Sequence, residues 1–429
     1  MAAVPRPRPL TASAAANAGT TLWVTRYYDP ALVFTAGALM TLGVAMVYSA
    51  TVTIEGSGLS TDVQTWWHSP LRQGVFALAG FLGLLGAAHL DYHMFAWTRP
   101  RDGWRAGILA ALAVGLLVAV LMPGIGKEAL GARRAIEVPG LGGLSFQPSE
   151  IAKVVLVVWS AALLTRPLGP ATGPRWALLR APARRQPPLG NAGDFARGFL
   201  PAAVSGAVLI GLTGIEDFGT AALMGAILMA LLLAGGARLW YLAAAVLPGI
   251  GAGVLLVSLK PARLARLTTF FGAEADPGGA GYQINQALMS IGSGGWFGRG
   301  LGNGVQKYGY LPQDNNDFIL ASICEELGVA GGLVVTALFL VILWRGWQIS
   351  REAPDAFGRL LALGLTLTIC LQAAFNIGVV THSVPTKGIS LPFVSAGGSG
   401  VVFLGLATGL LASIGRRYAG VAWQPVARP

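Results

Sequence analysis

The sequence has few charged residues, few histidines and almost no cysteine. Only 11% of its 429 residues are charged and 54% are apolar, whereas soluble domains carry about 25% charged residues. The two cysteines, Cys324 and Cys370, both lie in apolar runs, which excludes a disulfide framework and a cysteine-based metal cluster. The four histidines are scattered without the spacing of metal ligands. A water-soluble protein could not cover its surface with so few charges, so we predict a polytopic membrane protein.

Apolar runs long enough to cross a bilayer recur along the chain. A transmembrane helix needs about 20 apolar residues, and the many glycines (60) and prolines (25) suit broken and closely packed membrane helices. We predict an all-α fold with about ten spans, at 30–50, 73–91, 105–123, 147–165, 196–213, 218–236, 239–259, 318–344, 357–380 and 397–415. The membrane domain would cover 30–416, with a disordered cytoplasmic tail at 1–29, a second cytoplasmic tail at 417–429, and a large outer loop at 260–317 between spans 7 and 8.

The distribution of basic residues predicts the orientation of these spans. Cytoplasmic loops of membrane proteins carry an excess of Lys and Arg, and most of the 30 basic residues fall on one side if the N-terminus is inside. We therefore expect both termini in the cytoplasm and the segments 51–72, 124–146, 260–317 and 381–396 on the outer face. The net charge of +11 then reflects topology and attraction to anionic lipid. No nucleic-acid partner is expected.

Charged residues cluster near the start of span 4. Glu150 and Lys153 are three residues apart and share a helix face. Charges inside a span indicate a functional site by default, although this pair could also be an ion pair that joins helices. Arg133 and Arg134, in the preceding outer segment, could bind phosphate through bidentate hydrogen bonds or could face lipid headgroups.

Acidic residues mark the starts of two other spans. Asp217 opens span 6, where we expect it to cap the helix. Asp317 lies at the junction with span 8, where catalysis and helix capping are both open. Glu325 lies about 12 Å deeper along span 8, so its carboxylate needs either a partner such as Lys153 or a proton.

Two glycine-containing outer segments could bind anions. Six glycines between 292 and 302 would let backbone N–H groups approach anionic oxygens. Between spans 9 and 10, prolines and glycines accompany Lys387, Ser395 and Ser399, which predicts a broken, re-entrant stretch. Such a cationic turn would suit a pyrophosphate, or it could be a plug without a ligand.

These segments, in this order on ten spans, closely resemble the FtsW/RodA/SpoVE (SEDS) family over nearly the whole chain after residue 30. Two runs, Asn303-Gly-Val-Gln-Lys307 and Pro385-Thr-Lys-Gly388, look more like the division (FtsW) branch than the elongation branch. The motifs that carry the resemblance are Gly131-Ala-Arg133-Arg134, Phe146-Gln-Pro-Ser-Glu150-Ile-Ala-Lys153, Asp217-Phe-Gly-Thr220, Gly292-Ser-Gly-Gly295, Asp317-Phe-Ile, Glu325-Glu-Leu-Gly328 and Pro392-Phe-Val-Ser-Ala-Gly-Gly-Ser399.

The resemblance implies a peptidoglycan glycosyltransferase in the bacterial cytoplasmic membrane. Such an enzyme polymerises lipid II on the outer face during cell division or elongation. It is paired with a class B penicillin-binding protein, a transpeptidase that crosslinks the strands, and other divisome or elongasome membrane proteins are expected nearby. The family pattern names no certain cofactor, although a divalent cation, Mg²⁺ or Mn²⁺, could help neutralise pyrophosphate.

The resemblance also suggests roles for individual residues. Asp317 matches the outer-loop Asp of the family and is the expected base. Glu150 would orient Lys153. The remaining substrate-binding candidates are the phosphate-neutralising cations and two serines: Arg133, Arg134, Lys153, Lys387, Ser395 and Ser399.

The sequence departs from the family pattern in three places. Pro312-Gln-Asp-Asn-Asn-Asp317 replaces the usual Pro-Glu-x-His-Thr-Asp, which makes Asp314 a rival for the catalytic base. Thr381-His382 replaces Thr-Gly, and Ser395-Ala-Gly-Gly398 replaces Ser-Tyr-Gly-Gly. Two other functions stay open at this point: a lipid II flippase, since transporters also use charged cavities and broken helices, and a noncatalytic scaffold for division proteins.

Overall fold

A bundle of membrane helices makes up most of the computed structural model. The model describes residues 29–56, 70–97, 103–129, 132–137, 145–167, 189–259, 263–264, 266, 270, 280–305, 316–385 and 388–418, and the predicted tails lie largely outside them. The helices are α1 (Pro30–Gly56), α2 (Pro70–His89), α3 (Trp104–Leu121), α4 (Pro148–Thr165), α5 (Leu200–Glu216), α6 (Phe218–Ala234), α7 (Leu239–Ser258), α8 (Ala280–Gly294), α9 (Ile319–Glu352), α10 (Ala356–Val380) and α11 (Ser399–Tyr418).

The helices confirm the predicted class of a multi-pass membrane protein. Among the described residues, nine helices are long and apolar enough to cross a bilayer. The sixth predicted span corresponds to α6, which is equally apolar but has only 17 residues. Helix α9 continues beyond the predicted end at 344, and these last turns contact the residue before α1. Arg345 on these turns donates to the Asp29 carboxylate at 2.6 Å.

The core of the bundle lies around α4, α10 and α11. More than half of the residues in their membrane-spanning stretches are buried inside the protein (78%, 61% and 67%), against 11% for α7. Helix α4 is buried on nearly all sides, including its polar first turn. The charged start of α4 is therefore placed in the interior, where each charge needs a partner.

A small antiparallel sheet lies between α3 and α4, and the sequence did not predict it. Its strands are β1 (Gly126–Ala129), β2 (Ala132–Glu137) and β3 (Ser145–Phe146), in the order β1-β2-β3. Gly126 pairs with Ile136, and Ile136 pairs with Phe146. We call the end of the bundle that carries this sheet the sheet end.

Helix α9 is broken at Gly328, where the backbone adopts φ +76° and ψ 178°. Such a positive φ is accessible to glycine without steric cost. The glycine-rich segment after α8 fills the break: Arg299 N donates to Glu325 O at 3.0 Å and Val329 N donates to Gly295 O at 2.9 Å. The sequence suggested that these glycines let the backbone approach a ligand. In the structure they let it approach α9 instead.

Candidate active site

A polar cavity of about 250 Å³ lies at the sheet end, among the most buried helices. Its wall combines residues from α2, β2, α4, α6, α10, α11 and the approach to α9. The lining includes Arg72, Arg134, Gln147, Glu150, Lys153, Asp217, Asn316, Asp317, Gln372 and Ser399. Charges of both signs thus meet in one polar cavity.

Asp317 lies in this cavity, just before α9. The N-cap position of α9 is taken by Phe318, which makes no side-chain capping bond, so capping is not the role of Asp317. Its backbone is fixed because Asn376 Nδ2 donates to Asp317 O and to Ile389 O, both at 2.8 Å. Burial raises the pKa of Asp317 to about 6, against the opposing charge of Arg134. A carboxylate with a raised pKa in a cleft is a good candidate for a general base.

Strand β2 points its two arginines in opposite directions. Successive side chains of a strand alternate between faces, and Arg134 lines the cavity, whereas Arg133 is absent from the lining. The Arg134 Nε donates to the backbone oxygen of Glu216 at 3.3 Å, and the backbone N–H of Arg133 donates to the Glu216 carboxylate at 3.1 Å. The corner between α5 and α6 therefore fixes the strand so that Arg134 faces Asp317.

Lys153 and Glu150 form a buried ion pair on the floor of the cavity. The Lys153 Nζ lies 2.8 Å from Glu150 Oε1 and also donates to Gln372 Oε1 on α10. Lys153 is 1% exposed and Glu150 is 7% exposed. The second carboxylate oxygen of Glu150 accepts no hydrogen bond from the described residues and lies beside Gly400, in the first turn of α11. This oxygen is itself buried, at the edge of the cavity that Glu150 lines.

Asp217 has two roles at the cavity wall. It caps α6 as predicted, accepting from Thr220 N at 3.1 Å and from Thr220 Oγ1 at 2.7 Å. It also accepts from Gln147 Nε2 at 3.3 Å, and this bond connects α6 to the start of α4.

The two predicted serines differ in their surroundings. Ser399 lines the cavity and accepts a hydrogen bond from Gln147 N at 3.3 Å. Ser395 is buried and has structural bonds: it donates to Asn316 O at 2.6 Å and accepts from Leu391 N at 2.8 Å. It thereby connects the segment before α11 to the residue next to Asp317. Lys387 and Asp314 lie outside the described residues.

The sequence suggested Lys153 as a possible partner of Glu325, but these two side chains do not pair. It accepts from Val305 N at 2.8 Å, and Arg299 lies 3.8 Å from its Oε1. The turn of α9 that carries Glu325 contacts the glycine-rich segment, whereas Lys153 lies on α4 and binds Glu150 and Gln372.

Sequence reasoning missed several charged or polar residues of the site. Arg72, in the first turn of α2, lines the cavity and stacks over the Phe76 ring at 5.4 Å. A cation so close to the start of a span was a usable signal. Arg266, in the long segment after α7, lowers the pKa of Asp317 through its charge. Gln372 gave no signal, because a single amide in an apolar helix has many structural explanations.

Comparisons with known proteins agree with this arrangement. The family model described as cell cycle protein, FtsW/RodA/SpoVE, matches residues 30–419. The chain belongs to this family. A relative named probable peptidoglycan glycosyltransferase FtsW, from Geobacter sp. (strain M18), is 36% identical over 92% of this chain and 98% of its own. Stage V sporulation protein E of Bacillus subtilis (strain 168) is 36% identical over 90% of this chain and 97% of its own.

Solved structures share the FtsW/RodA/SpoVE fold of this chain. The rod shape determining protein RodA of Thermus thermophilus has a TM-score of 0.59 at 25% identity and covers 92% of this chain and 98% of its own. A chain from a peptidoglycan synthase complex that coordinates polymerisation and crosslinking has a TM-score of 0.63 at 24% identity, with 92% and 99% covered. The second likeness shows a common fold.

Proposed function

We propose that this protein is a peptidoglycan glycosyltransferase that polymerises lipid II into glycan strands. Its membership of the FtsW/RodA/SpoVE family and relatives named peptidoglycan glycosyltransferase FtsW support this activity. The observation that carries the proposal at this chain's own residues is the position of Asp317 beside Arg134 in a polar cavity that Lys153 and Glu150 also line. The family match favours a polymerase over a lipid II flippase.

The chemistry requires one base and a cationic site. A new bond forms between the acceptor's 4-hydroxyl oxygen and the donor's anomeric carbon, while the bond from that carbon to the pyrophosphate oxygen breaks with inversion. The hydroxyl proton passes to the Asp317 carboxylate, and the electron pair of the broken bond leaves with pyrophosphate. Arg134 is placed to stabilise this leaving charge, because a guanidinium binds phosphate oxygens in a bidentate manner.

Lys153 contributes differently from Arg134 because its charge is already paired. Glu150 and Gln372 hold its ammonium group below the cavity. We assign it to positioning and to the local positive potential. We assign Glu150 to orienting this ammonium group.

The described residues contain no group of three or more His, Cys, Asp or Glu side chains that could hold a metal ion. A Mg²⁺ or Mn²⁺ ion bound together with the substrate's pyrophosphate stays a prediction, and we assign no step of the reaction to such an ion.

The proposed location of the reaction is the outer leaflet of the cytoplasmic membrane. The excess of arginine in the opposite loops supports cytoplasmic termini and an outward sheet end. A class B penicillin-binding protein is the proposed partner, supported by the shared fold with a chain of a peptidoglycan synthase complex. A topology reporter fused after residue 290 should report the outer face, and one after residue 180 the cytoplasm.

The direct test uses purified protein, lipid II and gel separation of the products. We expect glycan strands from the wild type, with and without the partner, and none from Asp317→Asn. In parallel, liposomes with fluorescent lipid II measure translocation. Translocation of lipid II without formation of glycan strands would show that the protein is a flippase and not a polymerase.

A further inference from the structure

Two adjacent carboxylates are buried outside the catalytic cavity. Glu325 and Glu326 are each 2% exposed and lie on α9 just before its break at Gly328. Burying a carboxylate is unfavourable unless hydrogen bonds or opposite charges compensate it. Their contacts show what this burial achieves.

Both carboxylates bind the backbone of the glycine-rich segment. Val305 N donates to Glu325 Oε1 at 2.8 Å, and Gly302 N donates to Glu326 Oε2 at 3.0 Å. Between these donors the backbone of Gly304 passes so close that a Cβ there would lie 3.0 Å from Glu326 Oε1. Charge-assisted bonds of this kind are about twice as strong as neutral ones. Residues 302–305 are thus held against α9 by carboxylates.

Glu326 also binds a third element of the fold. Ser49 Oγ on α1 lies 2.8 Å from both Glu326 oxygens and donates to them. A single carboxylate therefore connects α1, α9 and the glycine-rich segment. We call this set, Glu325 and Glu326 with Ser49, Gly302 N and Val305 N, the loop anchor.

The loop anchor holds the beginning of the connection that leads to Asp317, the proposed base. The chain leaves the described residues after Val305 and re-enters them at Asn316, next to Asp317. The re-entering end is held by Ser395 Oγ, which donates to Asn316 O at 2.6 Å, and by Asn376 at Asp317 O. The loop anchor holds the leaving end. Both ends of the connection before Asp317 are thus fixed to the helix bundle.

We propose that Glu326 is a positioning residue for the glycosyl transfer, acting through the loop anchor on α9, the helix that begins two residues after Asp317. This inference rests on the proposed function. A misplacement of about 1 Å, caused by a change far from the reacting atoms, can cost about 100-fold in rate. Loss of the anchor should therefore lower kcat, whereas KM should change little because Glu326 does not line the cavity.

The substitutions that test this separate hydrogen bonding from charge. In Glu326→Gln, Oε1 can still accept from Gly302 N, and Nε2 can donate to Ser49 Oγ, so we expect activity within about threefold of the wild type. Glu326→Ala removes the bonds from Gly302 N and Ser49 Oγ, and we expect kcat to fall about 10- to 100-fold with KM within about twofold. Ser49→Ala removes one bond, with kcat about three- to tenfold lower. Glu352→Ala, on the exposed end of α9, is the matched control and should behave as the wild type.

A second readout follows the segment itself. In a Val305→Cys background, labelling by a membrane-impermeant maleimide should be faster with Glu326→Ala and unchanged with Glu326→Gln or Glu352→Ala. Asp317→Asn should label slowly yet make no strands, which separates failure of the loop anchor from failure of the proposed function. If Glu326→Ala does not insert, Ser49→Ala carries the test. Normal kcat in Glu326→Ala and Ser49→Ala, or loss of activity in Glu326→Gln with unchanged labelling, would overturn the proposal.

Discussion

Two aspartates at opposite ends of α9 occupy similar places in the sequence and have opposite surroundings. Asp317 precedes α9, and Asp355 lies between α9 and α10. Asp355 caps α10 by accepting from Gly358 N at 3.0 Å, and it also accepts from Tyr92 Oη at 3.1 Å. Burial alone would raise the pKa of Asp355, but hydrogen bonds from His93, Gly358 N and Tyr92 lower it overall.

Among the described residues, none donates a hydrogen bond to the Asp317 carboxylate. The neighbours that act on its carboxylate do so through their charges, and burial outweighs them, so its pKa is raised to about 6. A carboxylate that caps a helix and accepts several hydrogen bonds is saturated by the fold, whereas one that is buried without such bonds is available for reaction. From this comparison we expect a structural role for Asp355 and a catalytic role for Asp317. The following predictions test these two roles.

The largest difference should come from the same substitution at both positions. Asp317→Asn removes the proposed base, and loss of a general base costs about 10²–10⁴-fold in rate. Thermal stability should be unchanged or higher, because Asp317 does not cap α9. Asp355→Asn should keep its activity, since Asn is an equally good N-cap. Gel separation of the glycan products measures the activity of each variant. Thermal unfolding of the same preparations measures its stability.

Asp314 provides the control within the loop. Asp314→Asn should keep most activity, because it lies outside the Asp317-Phe-Ile motif. If the variant at 314 fails and the variant at 317 polymerises normally, the base is not Asp317 and the contrast with Asp355 loses its meaning.

The two arginines of β2 sharpen the contrast between reactive and structural positions. Arg134 lines the cavity beside Asp317, and hydrogen bonds to charged groups contribute about 1.5–3 kcal/mol. Arg134→Ala should therefore lower kcat/KM about 10- to 100-fold, which is the rate factor that corresponds to losing this free energy. Arg133→Ala should have a much smaller effect, because Arg133 lies on the other face of the strand. Equal loss in both variants, at normal expression, would contradict this placement.

For part of the site, the contacts could be predicted from residues that are close together in the sequence. Glu150 and Lys153 lie three residues apart on a helix, and that spacing alone brings their side chains together. Asp217 directly precedes an apolar helix, and it caps that helix. Both predictions depend on contacts within a few residues of the chain, where helix geometry fixes the distances.

Other parts depend on contacts between distant residues and could not be predicted. The glycines near Gly295 and Gly298 looked like a ligand-binding loop, but they contact the break at Gly328, about thirty residues away by the numbering. Arg72 faces the same cavity as Asp317 only because α2 packs beside α11. Asp317 itself could have been a cap or a base, since that choice depends on which residue takes the N-cap conformation.

The pH dependence of the two aspartates should have opposite signs. The folded-state pKa of Asp317 is raised from 3.8 to about 6, so its ionised form destabilises the fold above that pH, and this cost disappears as the pH falls. Activity requires the ionised form, so kcat/KM should fall about tenfold per pH unit below about pH 6. Asp355→Asn should leave this profile unchanged. A pH-independent rate between pH 5 and 8 would remove Asp317 from the role of base.

The smallest effect concerns stability at the other end of α9. Asp355→Ala removes the cap of α10, which typically costs about 1 kcal/mol, and it also removes the Asp355 acceptor of the buried Tyr92 hydroxyl, which adds about 0.5–1.5 kcal/mol. Because the pKa of Asp355 is lowered in the folded protein, its contribution is fully present above the ordinary Asp pKa and is lost as the pH falls through the lowered value. The difference in unfolding temperature between wild type and Asp355→Ala should therefore be large at pH 7 and shrink in acid. Strand synthesis by this variant at pH 7 should equal that of the wild type at temperatures where both are folded. A loss of activity without a loss of stability would show that Asp355 acts on the reaction, and the contrast between the two ends of α9 would fail.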